Sequence, residues 1–182
     1  PDKRNQLYAD LKTLMDVCPA SNLVHFFLAY VPRDEIRSVH MVLELMDLGS
    51  LADLFLQLGQ PRQPFPERHL LNILRQGLTG LDTLHNLHRA HRDIKPANIL
   101  INTAGEVKLT DFGITKNLGD TQGMCQSFVG TAMYMSPERI EQDDYSRPAD
   151  VWAIGVVLYE MAEGRFPLPD DVSKNVVKLY EA

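Results

Sequence analysis

The chain has 182 residues, 45% of them hydrophobic and 23% charged, with a formal net charge of -6. That is enough apolar material for one globular domain with a sizeable core, and the acidic balance argues against a protein that works by non-specific attraction to nucleic acid. The two cysteines, Cys18 and Cys125, form neither a CxxC pair nor a metal-binding spacing and read as reduced thiols. No apolar run approaches the ~20 residues needed to cross a bilayer, and residues 1–10 are too charged for a signal peptide. A cytoplasmic or nuclear protein is the expectation.

In chain order, Leu7, Leu11 and Leu14 recur at helical spacing over residues 3–17, and Cys18-Pro19-Ala20-Ser21-Asn22 ends that helix. Residues 23–31 and 39–45 read as strands, joined through a turn at 32–35 into a hairpin. Ser50 is the expected N-cap of a short helix over 51–58. Beyond the proline-rich stretch 60–66 lies the longest helical pattern, with Leu70, Ile73, Leu74, Leu78, Leu81, Leu84 and Leu87 in one apolar stripe. His85 and His88 lie on this core helix and need no function. Residues 99–101 and 107–109 are two short strands around a turn at 102–105. The weakly periodic segment 111–137 is long for a loop inside a compact domain, and such loops usually carry function. Residues 149–161 are apolar almost all round, the pattern of a helix buried in a larger body.

The residues able to do chemistry lie after the long helix. In His91-Arg92-Asp93-Ile94-Lys95-Pro96-Ala97-Asn98 one turn holds a carboxylate, an ammonium and an amide. Asp93 can accept or orient the proton of an attacking hydroxyl. Lys95 can steady charge on a phosphoryl group as a mobile point charge. Asn98 offers oxygen to Mg²⁺, a hard ion. The bland alternative is a polar turn between helix and strand. Asp111-Phe112-Gly113 follows the second short strand directly. A second carboxylate there can bridge a metal to phosphates, with Phe112 plugging the core and Gly113 permitting a flexible turn. A strand-end Asp-x-Gly is also an ordinary turn, so the weight rests on its order and spacing after the first motif.

Those two motifs, followed by Gly130-Thr131 and Tyr134-Met135-Ser136-Pro137-Glu138-Arg139, resemble the catalytic loop, the metal-binding turn and the end of the activation segment of protein kinases. The resemblance implies an α+β, bilobal fold. Residues 1–46 would be a partial small lobe (helix C and the hinge-side strands), and residues 47–182 an incomplete, mainly helical large lobe. It implies ATP and Mg²⁺ as cofactors, Asp93, Lys95, Asn98 and Asp111 as the catalytic set, and Asn98 and Asp111 as the metal ligands. Thr131 would hydrogen-bond near Asp93 and Lys95. Glu138 would pair with an Arg late in the large lobe. Asp150 would bind backbone amides of the catalytic loop, or cap its helix, or both.

Ser127-Phe128-Val129-Gly130-Thr131, the stretch Glu44-Leu45-Met46-Asp47-Leu48-Gly49-Ser50-Leu51 and the opening Arg4-Asn5-Gln6 are similar to the mitogen-activated protein kinase kinases. NIMA-related kinases share the Tyr-Met-Ser-Pro-Glu run and stand as the alternative. By this resemblance Leu43 is the gatekeeper, the backbone of Glu44 and Met46 meets the adenine edge, Leu100 packs beneath the ring, and Ser50 belongs to the nucleotide site. Leu14, Phe26, His91 and Phe112 would stack as a spine between lobes. Thr121 and Ser127 would be regulatory phosphosites at the plant-type spacing, unless the loop is merely rich in hydroxyls; Thr115 is a weaker candidate. Arg92 would receive a phosphate. Asp10 would pair with a strand lysine, or be a solvated helix charge.

The implied partners are a downstream MAP kinase as substrate and an upstream MAP kinase kinase kinase as activator, with no nucleic acid. Lys95, two residues past Asp93, fits Ser/Thr acceptors, and Tyr acceptors follow from the subfamily alone. A Gly-rich phosphate loop and a strand lysine have no counterpart in these residues. The expectation is therefore a chain truncated at both ends, inactive alone and weak for ATP. The rival reading is a pseudokinase or scaffold module.

Overall fold

The computed structural model describes residues 11–12, 14–15, 17, 20–34, 38–58, 63–112, 132–140 and 147–169. Asp10, Gly113, Thr115, Thr121, Ser127 and Thr131 lie outside them, as do both cysteines. The architecture is α+β, with two small antiparallel sheets and a helical body.

Leu11, Lys12, Leu14, Met15 and Val17 are helical, and Leu14 and Val17 are buried in the core. Strand β1 (Phe26–Tyr30) pairs antiparallel with β2 (His40–Leu43), Tyr30 opposite His40 and Phe26 opposite Leu43, with a bulge between Phe26 and Leu28. Both strands are shorter than the apolar runs that announce them. At the N-terminal end the reason is a competing partner. Leu23 and Val24 run parallel to a different strand, where Leu109 N–H donates to Asn22 O at 3.0 Å and Val24 N–H donates to Leu109 O at 2.9 Å.

Helix α1 (Leu51–Gln57) starts at Ser50 through a reciprocal capping box: Asp53 N–H donates to Ser50 Oγ at 3.2 Å and Ser50 N–H donates to Asp53 Oδ2 at 2.8 Å. It buries Leu51 and Phe55. Helix α2 (Glu67–Asn86) is the central support, burying Ile73, Gln76, Gly77, Gly80, Leu81 and Leu84. Full burial of side chains such as Leu81 and Leu84 stabilises by about 1.5–3 kcal/mol each.

The expected stripe needs correction at Leu78 and Leu87, which are 38% and 46% exposed. The buried line runs instead through Gly77 and Gly80, because neighbouring segments approach the helix backbone there. A Cβ at Gly80 would stand 2.7 Å from Asn22 O, and one at Gly77 would stand 3.1 Å from Ile154 Cδ1. Gln76 sits on this same face and holds three segments. Its Oε1 accepts Val107 N–H at 2.9 Å and Asn22 Nδ2 at 3.0 Å, and its Nε2 donates to Gly105 O at 2.9 Å.

A 3-10 turn (Pro96–Asn98) leads into β3 (Ile99–Ile101), which pairs antiparallel with β4 (Val107–Leu109) across a turn where Gly105 has φ 79°. Helix α3 (Pro137–Ile140) is one turn long, and α4 (Arg147–Glu163) packs on α2. Burial of α4 is one-sided among the described residues. Ala149, Asp150, Ala153, Ile154, Val157, Glu160 and Met161 face the core, while Val151, Trp152 and Tyr159 are 49%, 49% and 39% exposed. The expected all-round burial is thus corrected. Helical spacing of three and four turns only one stripe toward α2, however apolar the rest of the surface is. No described helix is long and apolar enough to cross a membrane.

Candidate active site

The site is built where α2 ends. His88 closes that helix with φ 56°, a left-handed position, and Arg89 N–H folds back onto Leu84 O at 2.9 Å. The chain then runs to His91 and Arg92, whose amides are gathered by one buried carboxylate from α4. Asp150 has no exposed surface. Its Oδ2 accepts His91 N–H at 2.9 Å, its Oδ1 accepts Arg92 N–H at 3.0 Å, and His85 Nε2 donates to Oδ2 at 2.8 Å. Arg92 is held at φ 72°, a conformation that costs a non-glycine residue roughly 1–2 kcal/mol. The amide–carboxylate bonds offset that strain and aim the next residue, Asp93.

Around Asp93 three functional groups meet. Lys95 Nζ donates to both carboxylate oxygens, at 3.0 and 2.9 Å. Asn98 Nδ2 donates to Asp93 O at 2.7 Å and to Asp93 Oδ2 at 3.0 Å. Both amide hydrogens of Asn98 are thereby engaged, which sets its orientation and leaves Oδ1 as the oxygen a cation can use. Thr110 N–H donates to Asn98 O at 3.0 Å, so the strand leading to Asp111 is pinned to the same turn. Asp111 is exposed with φ 60°, and Phe112 behind it is 1% exposed.

His91 packs against Phe112 beneath this turn. It is 2% exposed, its ring meets Phe112 edge-on at 6.4 Å, and its Nδ1 accepts Asp93 N–H at 3.3 Å. Burial pushes its pKa below the ordinary 6.5, against the opposing pull of Asp150, Asp93, the Thr110 backbone and Asp111. The ring is therefore neutral at pH 7, and Nε2 makes no hydrogen bond of good geometry. Asp111 is tied to the Asp93 turn through the backbone, since Thr110 N–H bonds Asn98 O and Asn98 Nδ2 bonds Asp93. Leu14 and Phe26 belong to the same buried cluster as Phe112.

The donor set suits magnesium. Among the described residues no group of three or more His, Cys, Asp or Glu could hold a metal. The site offers one carboxylate and one amide oxygen, and Mg²⁺ commonly takes few protein oxygens and fills its octahedron with water and phosphate.

Of the residues expected to meet the nucleotide, Leu43 ends β2 and is 38% exposed. Glu44 N–H donates to His25 O at 2.9 Å, and Met46 O accepts Gly49 N–H at 3.0 Å. Leu100 is half-buried and lies opposite Lys108 in the ladder. Ser50 is 7% exposed, and its hydroxyl donates to Asp53 Oδ2 at 2.6 Å, so its side chain is engaged in the helix cap. Beneath Asp93 an open pocket of about 20 Å³ is bounded by Arg92, Tyr134, Ser136, Arg139 and Ala153. Glu138 occupies the first turn of α3.

Several contributors escape a sequence reading. His85, to which helical periodicity gives no function, hydrogen-bonds Asp150. Glu160, in a run that looks uniformly apolar, is 5% exposed and accepts the Tyr134 hydroxyl at 2.7 Å. Lys108 is 9% exposed and pairs with Glu44 at 2.5 Å. The one available signal was a polar residue inside an apolar stripe, since such a group must find a partner when buried.

The family description "Protein kinase domain" matches residues 2–181. Mitogen-activated protein kinase kinase 3 of Arabidopsis thaliana is 44% identical over 167 residues, covering 91% of this chain and 31% of the relative. Mitogen-activated protein kinase kinase 1 of Arabidopsis thaliana is 48% identical over 145 residues, 79% of this chain and 40% of the relative. Mitogen-activated protein kinase kinase SIPKK of Nicotiana tabacum is 45% identical over 146 residues, again 79% and 40%. The chain thus spans between 31% and 40% of the length of these relatives.

Proposed function

Because the chain belongs to the protein kinase domain family, we propose that this protein transfers the γ-phosphoryl group of ATP to a hydroxyl of a MAP kinase. The observation that carries the reading is the meeting of Asp93, Lys95 and Asn98 within 3.0 Å, with the residue before Asp111 bonded to the same turn through Thr110 N–H and Asn98 O. Asp93 orients the acceptor hydroxyl and takes its proton as the oxygen–phosphorus bond forms and the bond to the β-phosphate oxygen breaks. Lys95, which donates to the Asp93 carboxylate, would balance the charge of the transferred phosphoryl oxygens. Asn98 Oδ1 and Asp111 would hold Mg²⁺, which when bound supplies positive charge to the β- and γ-phosphates.

The choice of a MAP kinase as substrate is supported by the likeness to mitogen-activated protein kinase kinases at 44–48% identity. By the same likeness the acceptors are Ser or Thr and also Tyr, the activator is a MAP kinase kinase kinase, and Thr121 and Ser127 receive the activating phosphates. The working place is the cytoplasm or nucleus.

The test uses the full-length protein, phosphorylated by an upstream kinase, with Mg²⁺-ATP and a catalytically inactive MAP kinase. Asp93→Ala should remove transfer while ATP binding persists, and peptide mapping should find phosphate on Thr121 and Ser127. Transfer by the variant at the wild-type rate would refute the role of Asp93.

A further inference from the structure

Lys108 is an unusual residue to find in the middle of a buried strand. All three residues of β4 are buried, and its side chain is only 11% exposed. An ammonium so placed needs a partner, and its partner is Glu44, at 2.5 Å. The carboxylate of Glu44 has a second bond: its Oε2 accepts His25 N–H at 3.1 Å, while the backbone N–H of Glu44 donates back to His25 O at 2.9 Å. Burial alone would raise the Glu44 carboxyl, but Lys108 and the His25 N–H outweigh it and hold it below the ordinary carboxylate range. It is therefore charged at neutral pH.

One carboxylate thus clamps three segments: the end of β2, the strand-like run at Asn22 to His25, and β4. That run is itself fixed to β4 by the Leu109–Asn22 and Val24–Leu109 bonds and to α2 by Asn22 and Gln76. Lys108 faces Leu100 across the ladder and precedes Asp111 by three residues. The clamp therefore joins the peptide at Glu44–Met46, taken above as the adenine contact, to the strand that delivers the metal-binding carboxylate. A buried ion pair contributes little net stability, yet its geometry is exacting. Such a pair suits positioning better than stabilisation.

We propose that Lys108 is a positioning residue for the nucleotide: acting through Glu44, it holds the backbone at residues 44–46 at a fixed distance from Asp111, so that base and phosphates are gripped together. This rests on the kinase reading given under Proposed function and on the adenine contact that the family resemblance implies for the backbone of Glu44 and Met46. Without the clamp, the Glu44–Met46 peptide gains freedom that ATP must remove on binding, and affinity for ATP falls while the chemistry at Asp93 is unchanged.

The experiment is steady-state kinetics of the full-length, activated protein with Mg²⁺-ATP and a catalytically inactive MAP kinase, alongside calorimetric Mg²⁺-ATP binding and thermal melting. Lys108→Met should raise the KM for ATP about tenfold, within the usual range of coupling between sites. The KM for the protein substrate should stay within about twofold and kcat within about threefold. Lys108→Arg, which keeps charge and donor, should recover most of the ATP affinity. Adding Glu44→Leu to Lys108→Met should weaken ATP binding no further than Lys108→Met alone. A KM for ATP within about twofold of wild type in Lys108→Met would overturn the proposal. So would a rise in both KM values that tracks a fall in melting temperature, since that is the mark of a merely structural pair. Failure of the kinase reading looks different: wild type itself would transfer no phosphate, or Asp93→Ala would still do so.

Discussion

Replacing Asp150 by Asn keeps the shape of a fully buried side chain and alters only its charge and hydrogen-bonding pattern. The carboxylate accepts His91 N–H, Arg92 N–H and His85 Nε2 at 2.9, 3.0 and 2.8 Å. These three partners are donors, and an amide offers one oxygen and one NH₂. In its better orientation the amide oxygen serves His91 and His85, and the NH₂ faces the Arg92 N–H. One buried donor then goes unsatisfied, at about 1–3 kcal/mol, and two charge-assisted bonds weaken to neutral ones at about 1 kcal/mol each. The sum is about 3–5 kcal/mol, a large part of the 5–15 kcal/mol typical of a folded domain. The lost bond is also the one that restrains Arg92 at φ 72°. Without that bond Arg92 is expected to relax out of the left-handed region and turn Asp93 away, and a displacement of about 1 Å at a catalytic group can cost about 100-fold in rate. The check is urea unfolding of the full-length protein with parallel kinetics, using Asp82→Asn as control. Asp82 is exposed and accepts a hydrogen bond from Asn86, and its substitution should change stability by no more than about 0.5 kcal/mol. A loss below about 1 kcal/mol for Asp150→Asn, with kcat within about threefold of wild type, would refute the account of how this loop is held.

Two further outcomes follow from the packing and from the buried imidazole. Gly80→Ala should destabilise by about 1–3 kcal/mol, because its Cβ meets the Asn22 carbonyl at 2.7 Å. The same change at Gly155, where a Cβ meets no described atom within 4 Å, should stabilise by about 0.5–1 kcal/mol through helix propensity; denaturant midpoints that fail to differ in sign would contradict the close approach of α2 to Asn22. The folded-state pKa of His91 lies below 6.5, so between that value and 6.5 the unfolded chain binds a proton that the folded chain does not. Stability should therefore be unaffected by this group above about pH 6.5 and should fall as the pH drops below it. His91→Phe should flatten that part of the pH–stability curve, and an unchanged slope would mean that the ring is not held neutral.

Much of the site is legible in residue order because its chemistry is local. Asp93, Lys95 and Asn98 lie within six residues, and the tight turn at Pro96 suffices to bring them together. The Ser50 cap and the turn at Gly105 are equally local, since a hydroxyl beside the first helical amides and a residue with φ 79° act over a few residues. The strand ends and the helix faces were less legible. Apolar residues from 23 to 31 look like one strand, yet Leu23 and Val24 join β4, a partner more than eighty residues away.

From its own letters this chain determines its candidate catalytic residues, its family and the kinds of element that carry them, because each depends on side-chain chemistry at short spacing. The folded molecule alone decides that Asp150 gathers the amides of His91 and Arg92 with the help of His85, that Lys108 meets Glu44, and that Gly77 and Gly80 rather than Leu78 and Leu87 line the packed face of α2. Those contacts join residues roughly thirty to seventy-seven positions apart. A buried charge must have a partner, but periodicity and propensity carry no information about which distant segment supplies it.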